Sequence, residues 1–411
     1  MLDRRHRDVA TVVGVCAIVL ALGAGGKACR GFWHDRLSFL CHSDIRALYS
    51  LRGMDRDLFP YLHGELIVSM KIGPPVRYGL RPVDGANEYP VLTGILMWLP
   101  SLVSDSPDTY LLASVVLLAP FGLATACLLG RLTGRRALWW SASPILFLYA
   151  FHNWDLAVVA ASVTGFWCWW RGRPMAAALG FGVGGALKLY PMLFLLPLVL
   201  ERLHAGDRRG AVGAAAAGGG TFALINLPFV ILSPSGWLVA YRFQTLRTPN
   251  YDSLWGSLES SFSLDQGTIT ILSTLAVIVV LAAVTWQMER RARREGTYPF
   301  LPACAALLAG FLLVSKVHSP QFALWMLPLF VLVQIRAGWY VLFVAGNVLL
   351  YLAIFGVSVW SIHARDVLVA WSVWGRTATF GLLAIAFLRA PPAVLRAPDR
   401  YGIAHTPASA D

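Results

Sequence analysis

About twelve apolar runs, each roughly 15 to 22 residues long, recur along this chain with almost no charge inside them. They fall at approximately 9–26, 109–130, 137–151, 155–170, 174–189, 190–203, 211–232, 267–287, 299–315, 321–335, 338–357 and 369–389. A run of that length spans a bilayer as a helix. None alternates with the period of two that barrel strands need. Only 14% of the 411 residues are charged and 57% are hydrophobic, against about a quarter charged in soluble domains. So little charge cannot clothe a soluble surface, and lipid must cover the rest. In hydrocarbon every backbone polar group needs an internal partner, which selects helices. The expected fold is an all-α integral membrane protein of about 12 transmembrane helices, one polytopic domain over residues 1–389.

The net charge of +12 suggests nucleic acid only until its distribution is read. The arginines cluster between apolar runs: Arg4, Arg5 and Arg7; Arg131, Arg135 and Arg136; Arg171 and Arg173; Arg208 and Arg209; Arg290, Arg291, Arg293 and Arg294. One register, with the N-terminus inside, puts every cluster on the cytoplasmic side, as the positive-inside rule requires. It predicts a multi-pass cell-membrane protein with both termini cytoplasmic and no nucleic-acid partner. No small-residue cleavage site follows the first run, so it is read as a retained helix rather than a signal peptide. Residues 390–411, rich in proline, alanine and charge, are predicted to form a disordered cytoplasmic tail. The same register makes residues 27–90 a long extracytoplasmic loop carrying interfacial helices. Residues 91–103 are too short to cross and are read as a re-entrant or interfacial helix. Cys29 and Cys41 share the long loop and can pair on an oxidising face. Cys16, Cys127, Cys168 and Cys304 read as ordinary residues of the spans.

An ionisable group at membrane depth costs about 2.5–3.5 kcal/mol on insertion scales, so its position is informative. The span interiors read as nearly free of charge, and polar residues gather at the outer ends. In Ser43-Asp44-Ile45-Arg46-Ala47-Leu48-Tyr49 the apolar spacing suggests a surface helix. Asp44 there can act as general base, or it can cap the helix or pair with Arg46 or Arg52. Asp55 and Asp57 offer a second acidic pair, better read as solvated than as a metal site. Glu88 and Tyr89, before Pro90, stand at the mouth of the short helix. They can meet a sugar, or serve as a capping acid beside a belt tyrosine.

Two turns repeat one chemistry. Lys188-Leu189-Tyr190-Pro191 breaks an apolar stretch, and Ser315-Lys316-Val317-His318-Ser319-Pro320-Gln321 breaks another. A lysine can snorkel, but cations and a helix start on one face also suit an anion such as a lipid phosphate. Asp155, in the polar turn at 153–155, and Trp255, in the loop at about 233–266, complete the candidate substrate-binding set.

At these turns the chain resembles the C-type glycosyltransferase superfamily, and within it glycosyltransferase family 87, which includes mannosyltransferases of phosphatidylinositol mannoside assembly. The resemblance rests on Ser43-Asp44 with Tyr49 and Pro60-Tyr61, on Glu88-Tyr89-Pro90, on Lys188 to Pro191, and on Lys316 to Gln321 with Trp325. Where the family often has a second proline after Pro90, this chain has Val91. The resemblance implies Asp44 as general base, with His318 and Lys188 near a donor phosphate. It implies inverting transfer of a sugar, mannose first, from a polyprenyl-phosphate donor to a glycolipid or glycan acceptor on the extracytoplasmic face. An arabinosyltransferase of the same superfamily is the near alternative. Such a leaving group needs no metal, so no cofactor is expected. A flippase or transporter of a lipid-linked glycan would share the spans and basic loops. It would tend, however, to show internal repeats and mid-membrane binding groups. A non-catalytic partner in envelope assembly is a third reading, separated from the first by whether Asp44 is needed.

Overall fold

The computed structural model describes residues 2–30, 34, 37–71, 77–356 and 362–394. The first apolar run forms α1 (Leu2–Ala28). After it the chain makes a 3-10 turn at Ser38–Cys41, the helix α2 (Asp44–Leu51) and a second 3-10 turn at Met54–Arg56. Cys29 and Cys41 form a disulfide, which ties the end of α1 to the approach of α2. The other four cysteines are free, as expected.

The long loop also holds an element that an all-helical reading does not contain. β1 (Glu65–Lys71) and β2 (Arg77–Val83) pair antiparallel, Glu65 opposite Val83 and Lys71 opposite Arg77. The run Leu66-Ile67-Val68 is rich in residues that suit a pleated surface, and both strands lie against the later helix Pro234–Leu246. The residues joining the strands, 72–76, lie outside the described residues.

The short apolar segment is α3 (Val91–Ser101), 11 residues long and about 16 Å in length. That is about half the thickness of a bilayer's hydrocarbon core. Its Val91, Thr93, Gly94 and Met97 are buried, and Thr93 Oγ1 donates to the Leu187 carbonyl at 2.6 Å. α4 (Pro107–Thr133) begins with a capping box in which Ser106 and Thr109 satisfy each other's backbone. There follow α5 (Leu138–Ser141), α6 (Pro144–Tyr149), α7 (Asp155–Trp170) and α8 (Pro174–Leu187). A 3-10 turn at Tyr190–Phe194 leads into α9 (Leu195–His204). Then come α10 (Arg208–Leu232), α11 (Pro234–Leu246), α12 (Leu254–Phe262), α13 (Gln266–Glu295) and α14 (Phe300–Val314). A 3-10 turn at Pro320–Phe322 opens α15 (Ala323–Leu332), and α16 (Ala337–Phe355) and α17 (Ile362–Arg389) close the bundle.

Among the described residues six helical segments are long and apolar enough to cross a membrane: Arg5–Ala28, Pro107–Ser141, Arg208–Leu232, Gln266–Glu295, Ala337–Phe355 and Val367–Arg389. The remaining expected spans are shorter helices, several broken at proline. α14 and α15 are buried almost throughout. A central helix can be short, because backbone at membrane depth is tolerated where protein surrounds it. The long helices take the outside, with Leu224, Ile231, Leu275, Ile278 and Val341 exposed.

Two arginines of the basic clusters also hold the fold. Arg136 donates to the carbonyls of Phe330, Val331 and Val333 at 2.8–2.9 Å, satisfying the C-terminus of α15. Arg291 does the same for α17, through Leu388 at 3.1 Å and Ala390 at 2.9 Å. The start of the expected tail is docked: Gln334 N–H donates to Pro391 and Ala393 N–H to Leu332. The rest of that tail, residues 395–411, lies outside the described residues.

Candidate active site

Asp44 opens α2, where the helix N-terminus favours its charge. Its position is stitched to the α6–α7 turn by two bonds. Ser43 Oγ donates to the Phe151 carbonyl at 2.8 Å, and Asp44 N–H donates to the His152 carbonyl at 2.8 Å. From below, Lys27 Nζ donates to the His42 carbonyl at 2.7 Å and to Tyr351 Oη at 3.1 Å. Neither Arg46 nor Arg52 pairs with Asp44. Arg46 pairs with Asp108, and Arg52 grips Glu88 in a two-pronged bridge at 2.6 and 2.7 Å.

The Asp44 carboxylate is about one-third exposed. Oδ2 accepts from Asn153 Nδ2 at 3.0 Å, and the same nitrogen donates to Tyr89 Oη at 2.8 Å. His42 Nε2 stands 3.6 Å from Oδ1 and His152 Nε2 stands 3.8 Å from Oδ2. Burial opposes ionisation of Asp44. The His152 and His42 imidazoles and the Asn153 amide outweigh it and hold the carboxyl below its usual range. Burial pushes His152 down to about 3, against the pull of Asp44.

Asp44 looks into a cavity of about 620 Å³. Glu88, Tyr89, Lys188, Tyr190, Lys316 and Gln321, all singled out in the sequence, line it as well. Tyr61, buried beneath, sends its hydroxyl to the carbonyls of Tyr89 and Pro90 at 2.9 Å each, fixing this edge of the mouth. Gly94 lies where a Cβ would sit 2.1 Å from that hydroxyl, so the close approach needs glycine.

The two lysines differ. Lys188 Nζ donates to Asp155 Oδ1 at 2.7 Å and lies 5.5–5.6 Å from the ring centres of Tyr89, Phe322 and Trp325. Trp325 Nε1 donates to the same oxygen at 2.6 Å, with its indole stacked on Tyr190. Lys188 is thus neutralised by a fully buried carboxylate behind the cavity wall. Lys316 donates to the Thr245 carbonyl at 2.8 Å and Thr270 Oγ1 at 2.9 Å. Burial and the neighbouring Arg247 push it down to about 8. Arg247, also on the wall, bonds Asn250 Oδ1 at 3.0 Å. Among the described residues neither Lys316 nor Arg247 meets a carboxylate in an ion pair. Below them Val277 and Phe311 make an apolar wall running along α13 and α14.

His318 and Trp255 do not line this cavity. Trp255 is buried and donates to the Val314 carbonyl at 2.7 Å. His318 is buried beside it, with Nδ1 3.2 Å from Asp252 Oδ2 and Arg376 bonded to the backbone of Asp252. Burial, and Arg376 next, push His318 down to about 4 although Asp252 pulls it up. Arg376 corrects the expectation of nearly uncharged spans, since it sits inside α17 and is 4% exposed. It is stable there because Asp252, from a loop far away in sequence, comes to meet it. Reading the sequence also missed His42, His152 and Gln244, which lines the cavity and donates to the Glu88 carbonyl at 3.2 Å; Arg52 was placed with Asp44 rather than Glu88, and Asn153 was seen only as part of a polar turn. The two histidines carried a faint signal, each within three residues of a residue already chosen, Asp44 or Asp155. Asp55 and Asp57 are exposed and face solvent.

A profile of glycosyltransferase family 87 matches residues 88–315. A curated relative, the polyprenol-phosphate-mannose-dependent alpha-(1-2)-phosphatidylinositol mannoside mannosyltransferase of Mycobacterium tuberculosis (strain ATCC 25618 / H37Rv), is 28% identical over 264 residues. The match covers 61% of this chain and 53% of the relative, so the chain aligns with about half the relative's length. No solved structure matches the chain. The family match starts at Glu88 on one side of the cavity, ends at Ser315 on the other and takes in more than half of the sequence: the chain belongs to glycosyltransferase family 87.

Proposed function

We propose that this protein transfers a sugar, mannose first, from a polyprenyl-phosphate donor to a hydroxyl of a glycolipid or glycan acceptor, with inversion. The observation that supports it most is the cavity's division of labour. An ionised carboxylate faces one side, two cations outside any ion pair stand on another, and an apolar wall runs below them. Asp44 takes the proton of the acceptor hydroxyl as that oxygen attacks the anomeric carbon, and the bond to the donor phosphate breaks. Lys316 and Arg247 hold the phosphate and stabilise the charge it gains on leaving. The isoprenoid lies along Val277 and Phe311. Lys188, neutralised by Asp155, shapes the wall beneath the sugar. A phosphate that leaves as a lipid monoester needs no metal to neutralise a diphosphate, so EDTA leaves the rate unchanged.

The active site is assigned to the extracytoplasmic face, with both termini cytoplasmic. The arginine clusters support that orientation, and so does a Cys29–Cys41 disulfide on the Asp44 side, since such bonds persist on oxidising faces. The test is transfer by purified protein from synthetic polyprenyl-phosphate mannose to membrane glycolipids, beside the arabinose donor. Mannosyl product is expected; faster arabinose transfer would reassign the sugar. No product from either, with glycolipid movement across proteoliposomes, would favour a transporter.

Lys316 gives the reading a pH signature. Its charge is present below about 8 and is lost as pH rises through that value. Donor KM is therefore expected to rise above pH 8, and kcat to fall with it, since the same charge stabilises the leaving phosphate. In Lys316→Met the rise should disappear and KM should be about tenfold to a hundredfold higher throughout, the worth of one charge-assisted hydrogen bond. A wild-type KM flat to pH 9.5 (roughly a unit and a half above the lysine's titration) would remove Lys316 from the donor site.

A further inference from the structure

We propose that His42, Asp44 and His152 form an inhibitory binding site for a nitrogen-seeking transition-metal cation of the zinc or cobalt kind. One ligand atom from each residue lies within 4.8 Å of the other two. The imidazole-to-carboxylate distances of 3.6 and 3.8 Å exceed the reach of an N–H···O hydrogen bond, about 3.2 Å. They are close to the spacing a metal imposes: bonds of about 2.0–2.1 Å in a tetrahedron set ligands about 3.4 Å apart. The two imidazoles face different oxygens of the Asp44 carboxylate, and side-chain rotation that brings the three ligand atoms in from their 4.8 Å span closes the site.

The surroundings support a ligand role. His152 is buried and its Nδ1 has no hydrogen-bond partner among the described residues. His42 is half exposed and stacks on Phe355, 4.5 Å between ring centres, which leaves a path for an ion from solvent. Three protein ligands leave a fourth position open, as in accessible zinc sites. Ligand type narrows the choice of cation. One carboxylate offers too few oxygen ligands for calcium or magnesium. Two imidazoles and one carboxylate suit zinc, cobalt, nickel or copper instead.

The functional consequence rests on Asp44 being the base. A metal on its carboxylate occupies the lone pairs that must take the acceptor's proton, so occupancy stops transfer. The site would then make the enzyme sensitive to zinc at the membrane surface.

The experiment uses full-length purified protein stripped with EDTA. Titrated Co²⁺ should give the visible absorption of a tetrahedral site, abolished by Zn²⁺ but unaffected by Mg²⁺ or Ca²⁺. His42→Ala, at an exposed position tolerant of change, should weaken Co²⁺ binding about tenfold or more, and His152→Asn likewise. In transfer assays Zn²⁺ should inhibit the wild type reversibly, and His42→Ala, compared with its own metal-free rate, should resist about tenfold more Zn²⁺. Absence of a cobalt spectrum in active wild type, or equal zinc sensitivity in both proteins, overturns the site. Loss of activity on stripping, restored by Zn²⁺, overturns its inhibitory role. Failure of the base reading looks different: Asp44→Asn would keep its transfer rate whatever the cobalt result.

Discussion

Asp44→Asn is expected to lower kcat by about 10²- to 10⁴-fold, the usual worth of a positioned general base, while donor KM and thermal stability stay near wild type. The substitution keeps the shape of the side chain and can still accept the Asn153 hydrogen bond. It removes only the ability to take a proton. Little stability is at stake, because the carboxylate is partly exposed and makes no hydrogen-bonded ion pair. Among the described residues no other carboxylate is placed to substitute. Glu88 is held by both prongs of Arg52, Asp155 is closed off behind Lys188 and Trp325, and Asp55 and Asp57 face solvent. Single-turnover transfer with synthetic donor measures the step directly. A mutant within threefold of wild type (about 0.7 kcal/mol) would end the assignment of Asp44 as base.

Asp155→Ala is expected to be the most damaging change to the fold near the site. Asp155 is fully buried and its Oδ1 takes both the Lys188 ammonium and the Trp325 indole. Removing it leaves a buried ammonium with no counter-charge, which costs about 3–5 kcal/mol, and frees the indole as well. The expected result is a large fall in the melting temperature of detergent-solubilised protein, with activity lost in proportion to folded protein. Asp155→Leu combined with Lys188→Met should recover much of that stability, since an apolar pair of similar volume often matches a buried ion pair. If Asp155→Ala alone melts within a degree or two of wild type, water reaches Lys188 and the neutral-wall description fails.

The helical class, the apolar runs and several of the cavity's polar residues can be read from the sequence. Membrane insertion is a local property, and costly residues such as Asp44, Lys188 and Lys316 stand out against apolar neighbours. Partners are harder to read, because they come from remote parts of the chain. Trp325 meets Asp155 across 170 residues, and Asn153 meets Asp44 across 109. The Arg376–Asp252–His318 cluster was invisible for the same reason: Arg376 looks like an isolated charge in an apolar run until Asp252 is placed beside it. The hairpin at Glu65–Lys71 and Arg77–Val83 was missed because two short strands carry a weak period signal among helices. The central spans looked long enough to cross unaided. Pro144 divides one of them into two short helices, others are only 10 to 15 residues long, and burial by neighbours makes the shorter pieces viable.

The apolar wall of the cavity has a consequence for how the protein meets its donor. Ser273, Thr274 and Val277 line the cavity from α13, while Leu275, Ile278 and Val279 of that helix are exposed on its outer side. One helix thus separates the reaction chamber from the lipid phase. A donor with a long isoprenoid would reach it by lateral diffusion within the membrane rather than from bulk water. The quantity that governs saturation is then donor per lipid, a two-dimensional density. At fixed donor in the cuvette, adding empty micelles should slow transfer by surface dilution, whereas a rate indifferent to micelles would point to entry from the aqueous side.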